Sequence, residues 1–194
     1  MRVIWIEGID GSGKTTTVRL LSLLLQKKGY NVLTLHFYSL VPCKIIKGTI
    51  KEGDSILRSL VKVLPYQLRV FGTLIFSTMI YMLLRIISFL CHSYILVDRG
   101  PISLFLSLVG SVRDSVSVKL LPRLGRFFLL VICQQSIAKR LHQLCDMRKG
   151  TEYFIMLQRE YLKFFMCKHD VLVNSGDKPL NIAKIIFQRM NLTK

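Results

Sequence analysis

Residues 8–15, Gly8-Ile9-Asp10-Gly11-Ser12-Gly13-Lys14-Thr15, match the pattern G-x-x-x-x-G-K-[ST] at every fixed position. The stretch follows Val3-Ile4-Trp5-Ile6, a short β-branched and aromatic run that is typical of a buried parallel strand. The motif is followed by residues 15–28, a predicted helix in which apolar positions recur at helical spacing. This helix is predicted to end at Lys27-Lys28-Gly29. A strand, this loop and a helix, in that order, form the arrangement in which such a motif binds phosphates.

The residue types in this P-loop suit the binding of a nucleoside triphosphate. Glycines let the backbone turn tightly and present its N–H groups, and the helix that follows adds its N-terminal dipole. Lys14 supplies a compact positive charge, and Thr15 offers a hydroxyl to Mg²⁺. We therefore predict that ATP and Mg²⁺ bind here, through Gly8, Ile9, Asp10, Gly11, Ser12, Gly13, Lys14, Thr15 and Thr16.

Four later segments are predicted to form the other strands, at 31–37, 94–97, 126–133 and 171–174. They alternate with stretches of helical periodicity, which favours a parallel sheet covered by helices on both faces. The length of the chain suits one compact unit. The prediction is a single α/β domain over residues 1–194 with a central five-stranded parallel sheet.

Residues 71–91 carry a single charge, Arg85, and are the best transmembrane candidate in the chain. A lone spanning helix would place Arg85 well inside the hydrocarbon, at a cost of about 2.5 to 3.5 kcal/mol. We therefore predict a buried core helix, packed on the sheet on one side and on a pocket on the other. Membrane association through 71–91 is the alternative.

The net charge limits which partners are possible, and the cysteine content indicates the redox compartment of the protein. The 28 Lys and Arg residues against 11 Asp and Glu give a formal charge of +17, which fits a phosphate-rich ligand, an anionic membrane or nucleic acid equally well. The five cysteines show neither a C-x-x-C motif nor a metal-ligand pattern. The start of the chain lacks the apolar run of a signal peptide, so a cytoplasmic protein with reduced thiols is expected.

Asp98 and Arg99 end the predicted strand at 94–97. P-loop proteins place at such a strand end the acid that holds Mg²⁺ directly or through water, and Arg99 would reach a phosphate from there. An isolated surface ion pair is the alternative interpretation. The P-loop favours a catalytic role for Lys14, Asp98 and Arg99, with Thr15 and Asp98 at the metal.

A basic cluster lies between residues 139 and 159. Phosphoryl transfer needs positive charge over the phosphates and exclusion of water, which a mobile segment often supplies. Arg140, Arg148 and Lys149 are the candidates, and a solvated helix face is the alternative. The members of the cluster are Lys139, Arg140, His142, Arg148, Lys149 and Arg159.

With these motifs in place, the sequence resembles the thymidylate kinase family of P-loop nucleoside monophosphate kinases. The opening IEGIDGSGKTT is very similar to the start of that family and includes Glu7 and Asp10. The VDRG stretch at 97–100 is similar to the family's D-R element, and Ser103 falls where the family has a serine. Residues 134–141, 160–162 and 171–177 resemble its approach to the lid, the helix after the lid and its last strand with the adenine loop.

The resemblance implies a three-layer P-loop kinase sandwich with a small lid at about 139–152, and transfer of phosphate from ATP to dTMP. It implies that Lys14 and Thr15 hold phosphates and Mg²⁺ and that Asp98 lies near the metal. Arg99 would bind the acceptor phosphate, Asp10 would face the acceptor sugar, and Arg148 would supply the arginine that the loop lacks. A small-molecule nucleotide acceptor, no nucleic acid and a homodimer built from helices are expected.

The departures from the family lie on the acceptor side. The arginine-containing element after the second strand is replaced by residues 36–40, HFYSL. The arginine that would read thymine falls near Ser77, and a tyrosine and glutamine are replaced by Ser107 and Leu108. Two alternatives to a dTMP kinase stay open: a related enzyme that phosphorylates another small phosphate or alcohol, and a nucleotide-binding, membrane-associated regulatory protein.

Overall fold

The computed structural model describes residues 2–37, 64–111, 119–132, 151–165, 171–174 and 178–191. Strands and helices alternate along most of these ranges, as predicted. The strands are β1 (Val3–Gly8), β2 (Val32–His36), β3 (Tyr94–Asp98), β4 (Arg126–Ile132) and β5 (Val171–Asn174). The helices are α1 (Lys14–Lys27), α2 (Tyr66–Leu90), α3 (Pro101–Val109), α4 (Thr151–Phe165) and α5 (Pro179–Asn191), with a 3₁₀ turn at Leu121–Arg123.

The strands form one sheet in the order β2-β3-β1-β4-β5, and every paired register is parallel. The predicted α/β architecture with a parallel sheet is thereby confirmed. Ile6 of β1 lies opposite Asp98 of β3, and Asp98 lies opposite His36 of β2. The carboxyl ends of three adjacent strands therefore meet at one edge, where ligands of open α/β sheets bind.

Side chains of β1 alternate between two apolar cores, one on each face of the sheet. Ile4 and Ile6 point into a core that α1 and α5 complete, through residues such as Leu21 and Ile186. Val3 and Trp5 point into the opposite core, which α2, α3 and α4 cover. The strand is buried at every position because both faces are packed, which explains its continuous apolar run.

The prediction of a buried core helix at 71–91 is wrong for one face of α2. The inward face, with Thr73, Ser77 and Leu84, is buried against the core. The outward face exposes nine large apolar side chains, each at least 45% exposed: Leu68, Phe71, Ile75, Met79, Met82, Leu83, Ile86, Phe89 and Leu90. Among the described residues, α2 is the one helix long and apolar enough to cross a membrane, although one face belongs to the core.

Candidate active site

The P-loop connects the end of β1 to the start of α1 through backbone that glycine alone adopts easily. Gly8, Gly11 and Gly13 have φ angles of 143°, 77° and 85°, in the region that side chains disfavour. A Cβ at Gly8 would lie 2.6 Å from the carbonyl oxygen of Leu130 on the neighbouring strand. The glycines therefore set the path of the loop, and Gly13 caps α1 in a left-handed conformation.

Lys14 lies inside this loop and is nearly fully buried, at 5% exposure. Its ammonium donates to the carbonyl oxygen of Ile9 at 2.5 Å and lies 4.0 Å from the carboxylate of Asp10. Burial, followed by the positive charge of Arg99, lowers the pKa of Lys14 to about 8, while Asp10 is the first of the acids that oppose this shift. The side chain is thus a desolvated cation at the point where phosphates would enter.

Thr15 and Asp98 meet across the junction of α1 and β3. The hydroxyl of Thr15 donates to a carboxylate oxygen of Asp98 at 2.5 Å, and Asp98 is itself 5% exposed. These two hard oxygen donors suit Mg²⁺, which is usually held by one or two carboxylates, waters and substrate phosphates. The donor set therefore fits the metal that the sequence predicts, and Thr15 and Asp98 are the residues that would hold it.

Arg99 directly follows β3 and bridges to the P-loop. Its guanidinium donates to the carboxylate of Asp10, and the side chain is 25% exposed. The backbone of Arg99 has φ of 65°, a left-handed conformation that is costly for a residue with a side chain. The fold thus places Arg99 at a strained corner beside the phosphate loop.

Lys14, Thr15 and Arg99 line one cavity of about 340 Å³. His36 at the end of β2 lies in its wall, because the parallel register places it opposite Asp98. The sequence marked His36 only as a departure, so its place in the site follows from the strand order. The lining consists of Asp10, Gly11, Gly13, Lys14, Thr15, Thr16, His36 and Arg99.

Glu7, to which the sequence alone assigns no role, is fully buried in β1, directly before Gly8 of the P-loop. Desolvation raises its pKa to about 7 against the opposing effect of hydrogen bonds from Ser103. A charged residue within an apolar parallel strand was the signal that would have singled it out.

The remaining predicted site residues are placed as follows. The lid candidates Arg140, Arg148 and Lys149 lie outside the described residues, as does most of the predicted lid at 139–152. Arg159 lies exposed on α4, as the solvated-face interpretation expects.

On the acceptor side, Ser77 is fully buried, and its hydroxyl has no hydrogen-bond partner within the described part of the chain. The hydroxyl of Ser107 bonds within its own helix to the carbonyl oxygen of Leu104 at 2.7 Å. The carbonyl oxygen of Leu108 accepts a hydrogen bond from Arg69 of α2 at 3.3 Å. These contacts differ in kind from the polar base pocket that the family resemblance implies.

The strand order, the P-loop and the acid at the end of the adjacent strand define an α/β protein with a P-loop kinase fold. The chain is similar to a crystal structure of thymidylate kinase from Ehrlichia chaffeensis, with a TM-score of 0.53, 16% identity and coverage of 97% of both chains. No family model matches the chain, and no curated protein matches it in sequence. At this identity the likeness shows the fold.

Proposed function

We propose that this protein is an ATP-dependent nucleoside monophosphate kinase, with dTMP as the first candidate acceptor. One observation carries the proposal: Lys14, Thr15 and Arg99 line one cavity at the carboxyl edge of the sheet, and Asp98 is hydrogen-bonded to Thr15 in its wall. A nucleotide-binding protein without transfer needs the loop alone. A cationic side chain on the neighbouring strand end is what a second, acceptor phosphate requires.

The proposed reaction forms a bond between an acceptor phosphate oxygen and the γ-phosphorus of ATP and breaks the bond to the β–γ bridging oxygen, so that ADP leaves. Lys14 and the loop N–H groups hold the β and γ phosphates as charge shifts toward the leaving oxygen. Mg²⁺, when bound, neutralises charge on those phosphates. Arg99 then orients the acceptor phosphate beside the loop.

The test of transfer is turnover with ATP and a panel of monophosphates in wild type and Lys14→Met. Methionine keeps an unbranched side chain, one atom shorter, and removes the charge, so kcat is expected to fall by at least a thousandfold. Near-normal turnover by a folded Lys14→Met protein would overturn the proposal. Lys27→Met, on the last turn of the same helix, is the matched control.

Acceptor choice is expected to be poor. A base pocket that lacks donors cannot discriminate by leaving buried groups unpaired with the wrong ligand. We expect weak activity on dTMP with little selectivity over dUMP, dCMP, dAMP and dGMP, and a kcat/KM lowered far more by Arg99→Ala than by Ser77→Ala. A dTMP preference above about a hundredfold would contradict this, because apolar contacts rarely discriminate beyond that level.

We also propose that the protein is a homodimer joined through the exposed face of α2. Leu68, Ile75, Met82 and Phe89 recur every seven residues, which suits packing against another helix. Nine large apolar side chains, each at least 45% exposed, lie along the outward face of one helix, whereas exposed apolar residues of a monomer are usually scattered singly.

The pattern on α2 also suits a two-fold antiparallel arrangement. With the axis between Thr78 and Met79, three pairs of exposed apolar residues meet across the two copies, namely Leu68 with Phe89, Phe71 with Ile86 and Ile75 with Met82, and Arg85 of one copy faces Gly72 of the other. A Cβ added at Gly72 meets nothing within 4 Å in the described part of the chain. An arginine stem opposite a glycine fits without a steric conflict.

A further inference from the structure

Glu7 is a carboxyl group in the middle of the protein, with 0% of its surface exposed. Placing such a group in an apolar core is costly unless hydrogen bonds compensate it. The hydrogen-bond donors to Glu7 therefore show which part of the structure this residue stabilises. Its two side-chain oxygens accept hydrogen bonds from three groups of one element, the first turn of α3.

One oxygen accepts from the backbone N–H of Ile102 at 3.1 Å and from that of Ser103 at 3.4 Å. The other accepts from the hydroxyl of Ser103. The first N–H groups of a helix have no partner within the helix, and a residue just before it usually supplies one. Gly100 has no side chain to do so, and α3 has no side-chain cap of its own. Glu7 therefore caps α3 from β1, the strand beside the one that leads into this helix.

The corner that this cap holds is the one that carries Asp98 and Arg99. The backbone N–H of Arg99 donates to the carbonyl oxygen of Ile6 at 3.0 Å, one residue before Glu7. A Cβ at Gly100 would lie 2.8 Å from a carboxylate oxygen of Glu7 and 2.8 Å from the ring of Trp5. The corner is therefore pressed directly onto β1. The left-handed backbone of Arg99 persists because contacts on both sides of it fix the chain.

The hydrogen bonds continue from Ser103 to α4. The hydroxyl oxygens of Ser103 and Tyr161 are 2.8 Å apart. Ser103 has one hydroxyl proton and gives it to Glu7, so Tyr161 is the donor in this pair. Tyr161 is buried at 3% exposure and lies on α4. A chain of hydrogen bonds thus joins the strand before the P-loop (β1), the helix after Arg99 (α3) and a second helix (α4).

We propose that Glu7, Ser103 and Tyr161 form a positioning network that fixes the Asp98–Arg99 corner for the acceptor phosphate. The inference rests on the proposed kinase function, in which Arg99 orients that phosphate. Glu7 bonds to the first turn of α3, directly after the corner, whereas in the proposed reaction Lys14 and the loop glycines hold ATP. Loosening the network therefore affects the acceptor more than ATP.

The test compares Ser103→Ala and Tyr161→Phe with Ser107→Ala as the matched control. Ser107 lies one turn later on α3, and its hydroxyl bonds only to the carbonyl oxygen of Leu104 among the contacts described. We expect Ser103→Ala to raise the acceptor KM about tenfold, since one hydrogen bond to a charged group is worth about that factor. The ATP KM stays within about twofold, Tyr161→Phe gives a smaller rise, and Ser107→Ala matches wild type.

Amide hydrogen exchange at residues 99–104 is a second measurement of the network, and it does not depend on enzyme turnover. The exchange of Ile102 and Ser103 is expected to speed up in Ser103→Ala relative to Ser107→Ala, because the cap is weakened. Unchanged exchange, or equal rises in both KM values, overturns the network. A wild type that is inactive with every nucleotide overturns the proposed kinase function instead, and the exchange result still decides whether the network holds the corner.

Discussion

At the scale of single residues, the site depends on charges held where water is scarce. Lys14 is buried among Asp10, Asp98 and Arg99, and its pKa is lowered to about 8. A neutral amine cannot compensate the charge of the phosphates. In the proposed kinase, the affinity for ATP therefore depends on the protonation state of Lys14.

We expect kcat/KM for ATP to fall about tenfold per pH unit above pH 8, because this parameter reports the groups of the free enzyme. The measurement is a pH profile from 6 to 9.5 with acceptor saturating. Lys14→Arg keeps the charge at every pH in that range, so its residual activity should lose the alkaline fall. A wild-type profile that stays flat up to pH 9 would contradict this role for the lysine.

The buried Glu7 predicts how stability depends on pH. Its pKa rises from 4.5 to about 7 on folding, so between these values the folded protein binds more protons than the unfolded chain. The free energy of unfolding must then fall as pH increases through this window, by about 3 kcal/mol. Urea unfolding at pH 4.5 to 7.5 should show this loss in wild type and lack it in Glu7→Gln.

Glu160→Gln is the control for that series, because Glu160 is also largely buried but pairs with Lys163 at 2.6 Å. It should keep the wild-type pH dependence. If Glu7→Gln and wild type lose stability in parallel over this window, another group is responsible.

At the scale of elements, Gly8 lets the end of β1, where the P-loop begins, pack closely against β4. A side chain there would meet the carbonyl oxygen of Leu130 at 2.6 Å, so β1 and β4 would have to separate. We expect Gly8→Ala to cost at least 2 kcal/mol of unfolding free energy and to weaken ATP binding. Gly29→Ala is the control: its φ of 81° is also positive but a Cβ has nothing within 4 Å. It should cost about 1 kcal/mol and leave ATP binding unchanged.

The same elements show how far the sequence alone reaches. The P-loop, α1 and the strand ending at Asp98 could be predicted because their residue types follow from local geometry and buried parallel pairing. The outward face of α2 could not, since an apolar helix is equally compatible with burial on one side or on all sides. Glu7 and His36 enter the site through contacts between distant segments, and neither periodicity nor motif spacing encodes these.

At the scale of the whole molecule, the net positive charge disfavours the proposed homodimer, whereas the exposed apolar face of α2 favours it. Each chain carries a formal charge of +17, so two copies repel one another, while in the proposed homodimer apolar contact between the exposed faces of α2 opposes this repulsion. An anionic membrane would be attracted by both features. The salt dependence of binding therefore distinguishes a second copy of the chain from an anionic membrane. Salt screens the repulsion between two copies and so favours the homodimer, whereas it screens the attraction to an anionic membrane and so weakens membrane binding.

For the homodimer we expect light scattering after size exclusion to give twice the chain mass, and dissociation on dilution to become weaker as salt rises from 50 to 500 mM. Met79→Glu should yield monomers, because the proposed axis brings the new carboxylates of two copies together. Leu23→Glu is the control, since Leu23 is 60% exposed on α1. A monomeric wild type that sediments with anionic vesicles at low salt and is released at high salt would assign the face of α2 to a membrane instead, and the homodimer would be abandoned.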